Sequence, residues 1–271
     1  MENYAFLRRN KINMNTVKEL YAYRQMIFSL VKKDLRGRYK GSVLGFLWTF
    51  INPLFQLIVY TMVFKFILKT NIERYYLYLF VALIPWIFFS SAITVGAASV
   101  VAQKDLVKKI YFPRMVIPIS YVTSCFVNML LCFIVVFAVV ICTGVGVNFL
   151  ALLTLPVIMV VEYILALGMA LLTSAVTVYF RDLEHILGIV SMAWMYMTPI
   201  MYDKSIVPDR FLPIFNLNPM THVIECYRSV LYSKEIPDLT SLLSALSLGI
   251  FFLMAGCLVF NKLQRHFAEE L

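Results

Sequence analysis

Charge is scarce in this sequence. Asp, Glu, Lys and Arg make up 14% of its 271 residues, where an ordinary soluble domain carries about 25%. The apolar residues take 61%, and mean hydropathy is +0.81. That balance excludes a soluble globular enzyme, a disordered chain and a nucleic-acid-binding domain. Motifs for common chemistry are lacking too. There is no G-x-x-x-x-G-K-[ST] loop, so the chain is not expected to hydrolyse ATP itself. G-x-S-x-G, H-E-x-x-H and G-x-G-x-x-G are absent. The five cysteines contain no C-x-x-C, and an odd count does not build a disulfide framework. Cys125, Cys132, Cys142 and Cys257 lie in apolar runs and read as small apolar residues, with Cys226 alone. His185, His222 and His266 lack metal-ligand spacing, so no metal site is expected.

Long uncharged runs are what the sequence has. A membrane-spanning helix needs about 20 mostly apolar residues. Residues 41–64 and 75–103 carry no charge, giving span one near 43–66 and span two near 76–98. From Met115 to Phe180 the only charge is Glu162. Turn chemistry at Thr143-Gly144-Val145-Gly146-Val147-Asn148 divides that stretch into span three, 115–142, and span four, 151–180. Residues 186–202 give a short span five and 239–261 span six. The expected fold is an all-α integral membrane protein, one domain over 1–271. A β-barrel is excluded because the runs are continuous rather than alternating.

Lys and Arg set the orientation. Segments 1–42, 102–114, 181–185 and 262–271 hold ten, four, one and two of them. Segments 65–74, 143–150 and 203–238 hold three, none and four. Both termini are therefore expected on the cytoplasmic side. Residues 1–42 lack the apolar stretch of a signal peptide, so span one is expected to act as its own insertion signal.

The connecting segments carry patterns of their own. In residues 16–40, Leu20, Tyr21, Ile27, Phe28, Val31 and Leu35 fall on one helical face and Lys18, Lys32, Lys33 and Arg36 elsewhere. This reads as an amphipathic helix on the cytoplasmic membrane surface. Gly37, Gly41 and Gly45 follow, either a close-approach stripe or a hinge. The inner loop 99–112 predicts a short helix in which Asp105 precedes Lys109 by four residues, a favourable pairing. Phe112-Pro113 ends it. Outer segment 203–238 holds four prolines among apolar pieces, too polar to span and too apolar to hang free, and predicts short helices dipping back.

Few side chains in the spans are polar. Glu162 lies about eleven residues into span four, roughly 16 Å along the helix. It is either a functional carboxylate or one end of a helix-to-helix hydrogen bond. Trp48, Asn52, Gln56 and Tyr60 recur every four residues in span one, with Phe55 beside them. Span five has Trp194, Tyr196, Thr198 and Tyr202, without that regular spacing. Such a wall either lets a sugar chain slide past or is packing plus the interfacial aromatic belt.

Four blocks carry a family resemblance: Arg38-Tyr39-Lys40-Gly41-Ser42-Val43-Leu44-Gly45-Phe46-Leu47-Trp48 with Asn52-Pro53-Leu54; Lys108-Lys109-Ile110-Tyr111-Phe112-Pro113-Arg114 with Pro118; Arg181-Asp182-Leu183 with Thr198-Pro199-Ile200-Met201-Tyr202; and Asn218-Pro219 with Arg228. Together they resemble the ABC-2 type permeases of polysaccharide-exporting ABC transporters, which export O-antigen, capsule or teichoic acid. Thr198 departs from the serine often found there. The resemblance implies a homodimer with two separate ATPase chains, which bind the ATP and Mg; this chain needs no cofactor. Lys104, Asp105, Leu106, Lys108, Lys109 and Ile110 would form the coupling helix seated on the ATPase, with helix 16–40 as interface helix. Spans one and five would line the glycan path at the dimer interface, and 203–238 would form the outer gate. The cargo would be a glycan on undecaprenyl pyrophosphate in the bacterial cytoplasmic membrane. Arg36, Arg38 and Lys40 would meet that pyrophosphate or anionic lipid. A drug or lipid exporter on the same fold, and an intramembrane enzyme using Glu162, are the competing readings.

Overall fold

The computed structural model describes residues 14–38, 40–144, 146 and 148–271. Tyr39 of the first motif block, Val145 and Val147 of the expected turn, and residues 1–13 of the N-terminal segment lie outside the described residues. The regular elements are helical. In chain order they are α1 (Met14–Ala22), α2 (Arg24–Gly37), α3 (Trp48–Thr61), α4 (Tyr75–Ala102), α5 (Lys104–Lys109), α6 (Val116–Cys142), α7 (Phe149–Leu152), α8 (Leu155–Thr177), α9 (Leu183–Tyr196), α10 (Leu212–Leu217), α11 (Pro219–Arg228), α12 (Leu239–Leu263) and α13 (Phe267–Glu270).

Helix α4 is apolar on every side and is buried over most of its length, with Tyr76 and Val95 exposed. Leu77, Leu79, Val81, Ala82, Leu83, Phe89, Ala92 and Ala97 have no exposed surface. Helices α3, α6, α8, α9 and α11 all touch it. The closest pairing is α8 with α12. Glycine makes it possible: a Cβ on Gly168 would overlap the backbone of Phe252 and Leu253, and one on Gly256 the Gly168 carbonyl. Helix α3 stands at the outside. Only Thr49, Pro53 and Leu57 are buried, one per turn, while Phe55, Ile58, Val59 and Met62 face outward.

Among the described residues, five helical stretches are long and apolar enough to cross a membrane: Gly45–Ile67, Tyr75–Ala102, Val116–Cys142, Phe149–Thr177 and Leu239–His266. The expected fifth span differs. Helix α9 has 14 residues, about 21 Å at 1.5 Å per residue, short of a core about 30 Å thick. The uncharged run continues past it, but the backbone bends at Met197.

Two shorter expectations also change. Helix 16–40 is two helices interrupted at Tyr23. The loop helix is six residues, not fourteen: Ser99–Ala102 extend α4, whose Val100 is fully buried, and the chain breaks at Gln103.

The outer segment is drawn into the bundle. Met220, Thr221, Ile224 and Tyr227 of α11 have no exposed surface, and α11 packs against α4, α8 and α12.

Candidate functional site

A cleft of about 520 Å³ opens between α3 and the α4/α6 pair. Trp48, Asn52, Phe55 and Gln56 line it from α3, Phe88 and Ser91 from α4, and Asn128 from α6, with Arg38 also in the wall. Span-one residues expected on a path are therefore brought together with one cation of the basic cluster. Asn52, Phe55 and Gln56 are exposed. The Trp48 indole N–H donates to Ser42 Oγ at 3.0 Å, which fixes the ring at the entry of the helix.

Arg38 is held, not free. Its Nε donates to Asp34 Oδ2 at 2.9 Å, and its Nη2 reaches Cys125 Sγ at 3.2 Å and Ser124 Oγ at 3.5 Å. The Ser124 hydroxyl donates in turn to Asp34. The network ties the end of α2 to α6. Arg36 and Lys40 are exposed and are not among the cleft residues.

The span-five set divides. Thr198 has no exposed surface, so the expectation that it lines a path is corrected: its hydroxyl donates to Trp194 O at 2.9 Å inside the α9 turn. Trp194 is half-buried, edge-on to Phe89, with its N–H donated to Asn218 Oδ1 at 3.0 Å. Tyr196 is exposed. Tyr202 is half-buried, and its hydroxyl donates to Tyr196 O at 2.6 Å. Tyr60 is half-buried.

The bend after α9 exposes carbonyls that a helix would have used. Three consecutive ones are taken by side chains. Arg228 Nη2 donates to Ile200 O at 2.6 Å, the Tyr75 hydroxyl to Met201 O at 2.8 Å and the Tyr78 hydroxyl to Tyr202 O at 3.0 Å. The Arg228 guanidinium lies 3.6 Å from the Tyr78 ring centroid. Asn218 completes the junction. It caps α11 at Met220 N–H, accepts from Trp194, and donates to Met197 O at 3.2 Å and Thr198 Oγ1 at 2.8 Å. Neither Asn218 nor Arg228 stood out as a site residue by composition. Their signal was membership of the fourth block of the family resemblance, which gave them no role.

Glu162 is completely buried and accepts one hydrogen bond, from Tyr227 of α11 at 2.7 Å. Tyr227 is equally buried and stacks on Phe133. No acid–base partner stands beside this carboxylate among the described residues, and no group of three His, Cys, Asp or Glu is placed to hold a metal.

At the opposite end, Lys104, Asp105, Lys108, Lys109 and Ile110 of α5 and its exit are exposed, Leu106 is half-buried and Val107 is buried. Tyr111 stands 91% exposed beside them. The helix is braced from below. Phe267 of α13 is fully buried in the cluster that holds Val107 and Phe112. Arg114 donates to Gln264 O, and burial pulls its guanidinium below the usual arginine range.

Residues 25–232 match the model of the family described as ABC-2 type transporter. The chain belongs to that family. Its relatives include an O-antigen export system permease protein, RfbA, of Myxococcus xanthus, 32% identical over 257 residues, which are 94% of this chain and 98% of the relative. A protein of the same name from Klebsiella pneumoniae is 32% identical over 246 residues, 91% and 95% of the two chains. The polysialic acid transport protein KpsM of Escherichia coli is 23% identical over 220 residues, 79% and 84% of the two chains. The family match covers every cleft residue and α5 and ends at Tyr232, so α12 and the α13 brace lie outside it.

Proposed function

We infer that the chain is the membrane-spanning permease subunit of an ABC exporter of polysaccharide. The relatives' names supply the cargo class. One observation on this chain carries the reading furthest. Asn52 and Gln56 project from the exposed side of α3, within an apolar span. Bare amides in hydrocarbon cost several kcal/mol each. A sugar chain, which offers donors and acceptors along its length, satisfies them; so does a second copy of the chain.

The fuller arrangement is a homodimer in the cytoplasmic membrane with two ATPase chains, which hold the ATP and Mg. Both termini face the cytoplasm, which requires an even number of crossings. Five long helices therefore need a sixth, and α9 with its bend through Tyr202 supplies it. Satisfying the bend's carbonyls from within makes that backbone tolerable at membrane depth. Segment 203–238 then folds back as the outer gate. The exposed α5 surface seats the ATPase, and α2 lies beside it. The glycan arrives on undecaprenyl pyrophosphate, with Arg36, Arg38 and Lys40 offering charge to the pyrophosphate. ATP-driven closure of the partner moves α5, and the span-one and span-five faces part to let the glycan advance.

Gentle purification from the host tests this. An ATPase with a phosphate-binding loop should copurify in about equal amount, and its loss with Asp105→Lys or Leu106→Asp would place the contact. A folded chain that brings no ATPase would contradict the reading.

A further inference from the structure

A second cavity, of about 360 Å³, lies apart from the span-one cleft. Its wall joins the start of α4, the bend after α9, the end of α11 and the start of α12. Five charges meet there. Asp203, Glu225 and Asp238 bring acceptors, and Lys204 and Arg228 bring donors. Lys204 pairs with Glu225 at 2.9 Å, which leaves further hydrogen-bonding capacity on both groups. Asp203 accepts from Ser205, whose hydrogen bonds hold its carboxyl below the usual carboxylate range, so it stays an acceptor at neutral pH. Arg228 is more than nine-tenths buried, and its Nε–H finds no partner among the described residues.

The mixture is nearly balanced, three carboxylates against two cations, so an ion of either sign meets repulsion as well as attraction. An anion entering the cavity meets three carboxylates. A cation meets Arg228 and Lys204. A neutral ligand rich in hydroxyls can donate to the first set and accept from the second. The volume is at the small end of the range of about 300–1,000 Å³ typical of ligand sites. The floor is rigid, since Arg228, Tyr75 and Tyr78 fix consecutive carbonyls of the bend. We propose that this cavity is a saccharide site, taking one neutral, hydroxyl-rich unit of the glycan as it leaves the path. The proposal rests on the exporter reading and adds a second, downstream contact for the cargo.

Ser233, exposed at the rim, reports on occupancy. The exporter complex is prepared with Ser233→Cys and with the exposed Cys142 replaced by Ser. Maleimide labelling of the new thiol is timed with and without oligosaccharides cut from the host's surface polymer. At a fragment concentration about ten times its dissociation constant, labelling should slow about tenfold. Asp203→Asn should weaken that protection, and Asp209→Cys, exposed in segment 203–238 and not among the cavity residues, should show none. Unchanged labelling at saturating fragment overturns the saccharide site. Protection by inorganic phosphate or magnesium, but not by the fragments, overturns it in favour of an ionic site. Neither result touches the exporter reading, which fails separately if a host lacking this chain still displays its polymer.

Discussion

The Tyr227 hydroxyl donates to Glu162 across 2.7 Å, and neither side chain has any exposed surface. The pair fastens α11 to the middle of the span formed by α7 and α8. That bond is to Oε2, and Glu162 Oε1 has no partner among the described residues. Tyr227→Phe should therefore destabilise the purified chain by about 1–3 kcal/mol, the cost of a buried polar group left unsatisfied. Glu162→Gln keeps an acceptor and should cost less. The double change to Phe and Leu should recover part of the loss. Thermal unfolding in detergent reads all three. Glu162→Gln abolishing transport in a chain of unchanged stability would instead give the carboxylate a chemical role.

The cleft makes a different kind of prediction. Asn52→Leu with Gln56→Leu removes two amides from the exposed side of α3, where they line the cleft. Folding and ATPase binding should survive, and polymer at the cell surface should fall. Thr198→Val, at a buried site, should behave in the opposite way, with lower stability and no selective loss of transport. Surface polymer and thermal stability, measured side by side, separate the two.

The seam between α8 and α12 has no room for a side chain. Gly168→Leu drives carbon into the backbone of α12 and should cost at least about 1–3 kcal/mol, the usual penalty of overpacking, and more if the helices part. Gly188→Leu, at a glycine with open space around it, is the control. Yield of monodisperse protein measures both.

At the α5 end, Lys108→Glu with Lys109→Glu should weaken retention of the ATPase while leaving the permease folded, because both side chains are exposed. Phe267→Ala removes the brace instead of the surface. A deletion of this size in a core costs about 3–5 kcal/mol. It should loosen α5 and lower transport per ATP hydrolysed. Copurification reads the first variant, and the ratio of transport to hydrolysis reads the second.

Much of this architecture was legible in uncharged runs, because lipid demands continuous apolar helices and five such runs correspond to five long helices. The break in span five was not. Residues 186–202 are uninterrupted by charge, yet the chain bends at Met197. The groups that stabilise the bend, Tyr75, Tyr78, Arg228 and Asn218, lie far off in sequence. Glu162 was conspicuous as a lone acid in a span, but its partner stands 65 residues away, on a helix that reads as an outer loop. Thr198 looked like a wall residue because it is a hydroxyl among span-five aromatics, but its hydroxyl is used by Trp194 O within the turn. The break at Gln103 carries no proline or glycine, and α4 simply runs on through Ser99–Ala102 while apolar contacts last.

The most direct test of the central claim is where the polymer sits when this chain is removed. In the intact host, labelled glycan should be at the cell surface. Without the chain, the account predicts lipid-linked glycan accumulating on the cytoplasmic side, with surface polymer restored by the wild-type chain but not by Asn52→Leu with Gln56→Leu. Normal surface polymer in the deletion strain, or no change in the location of any glycan, would contradict it.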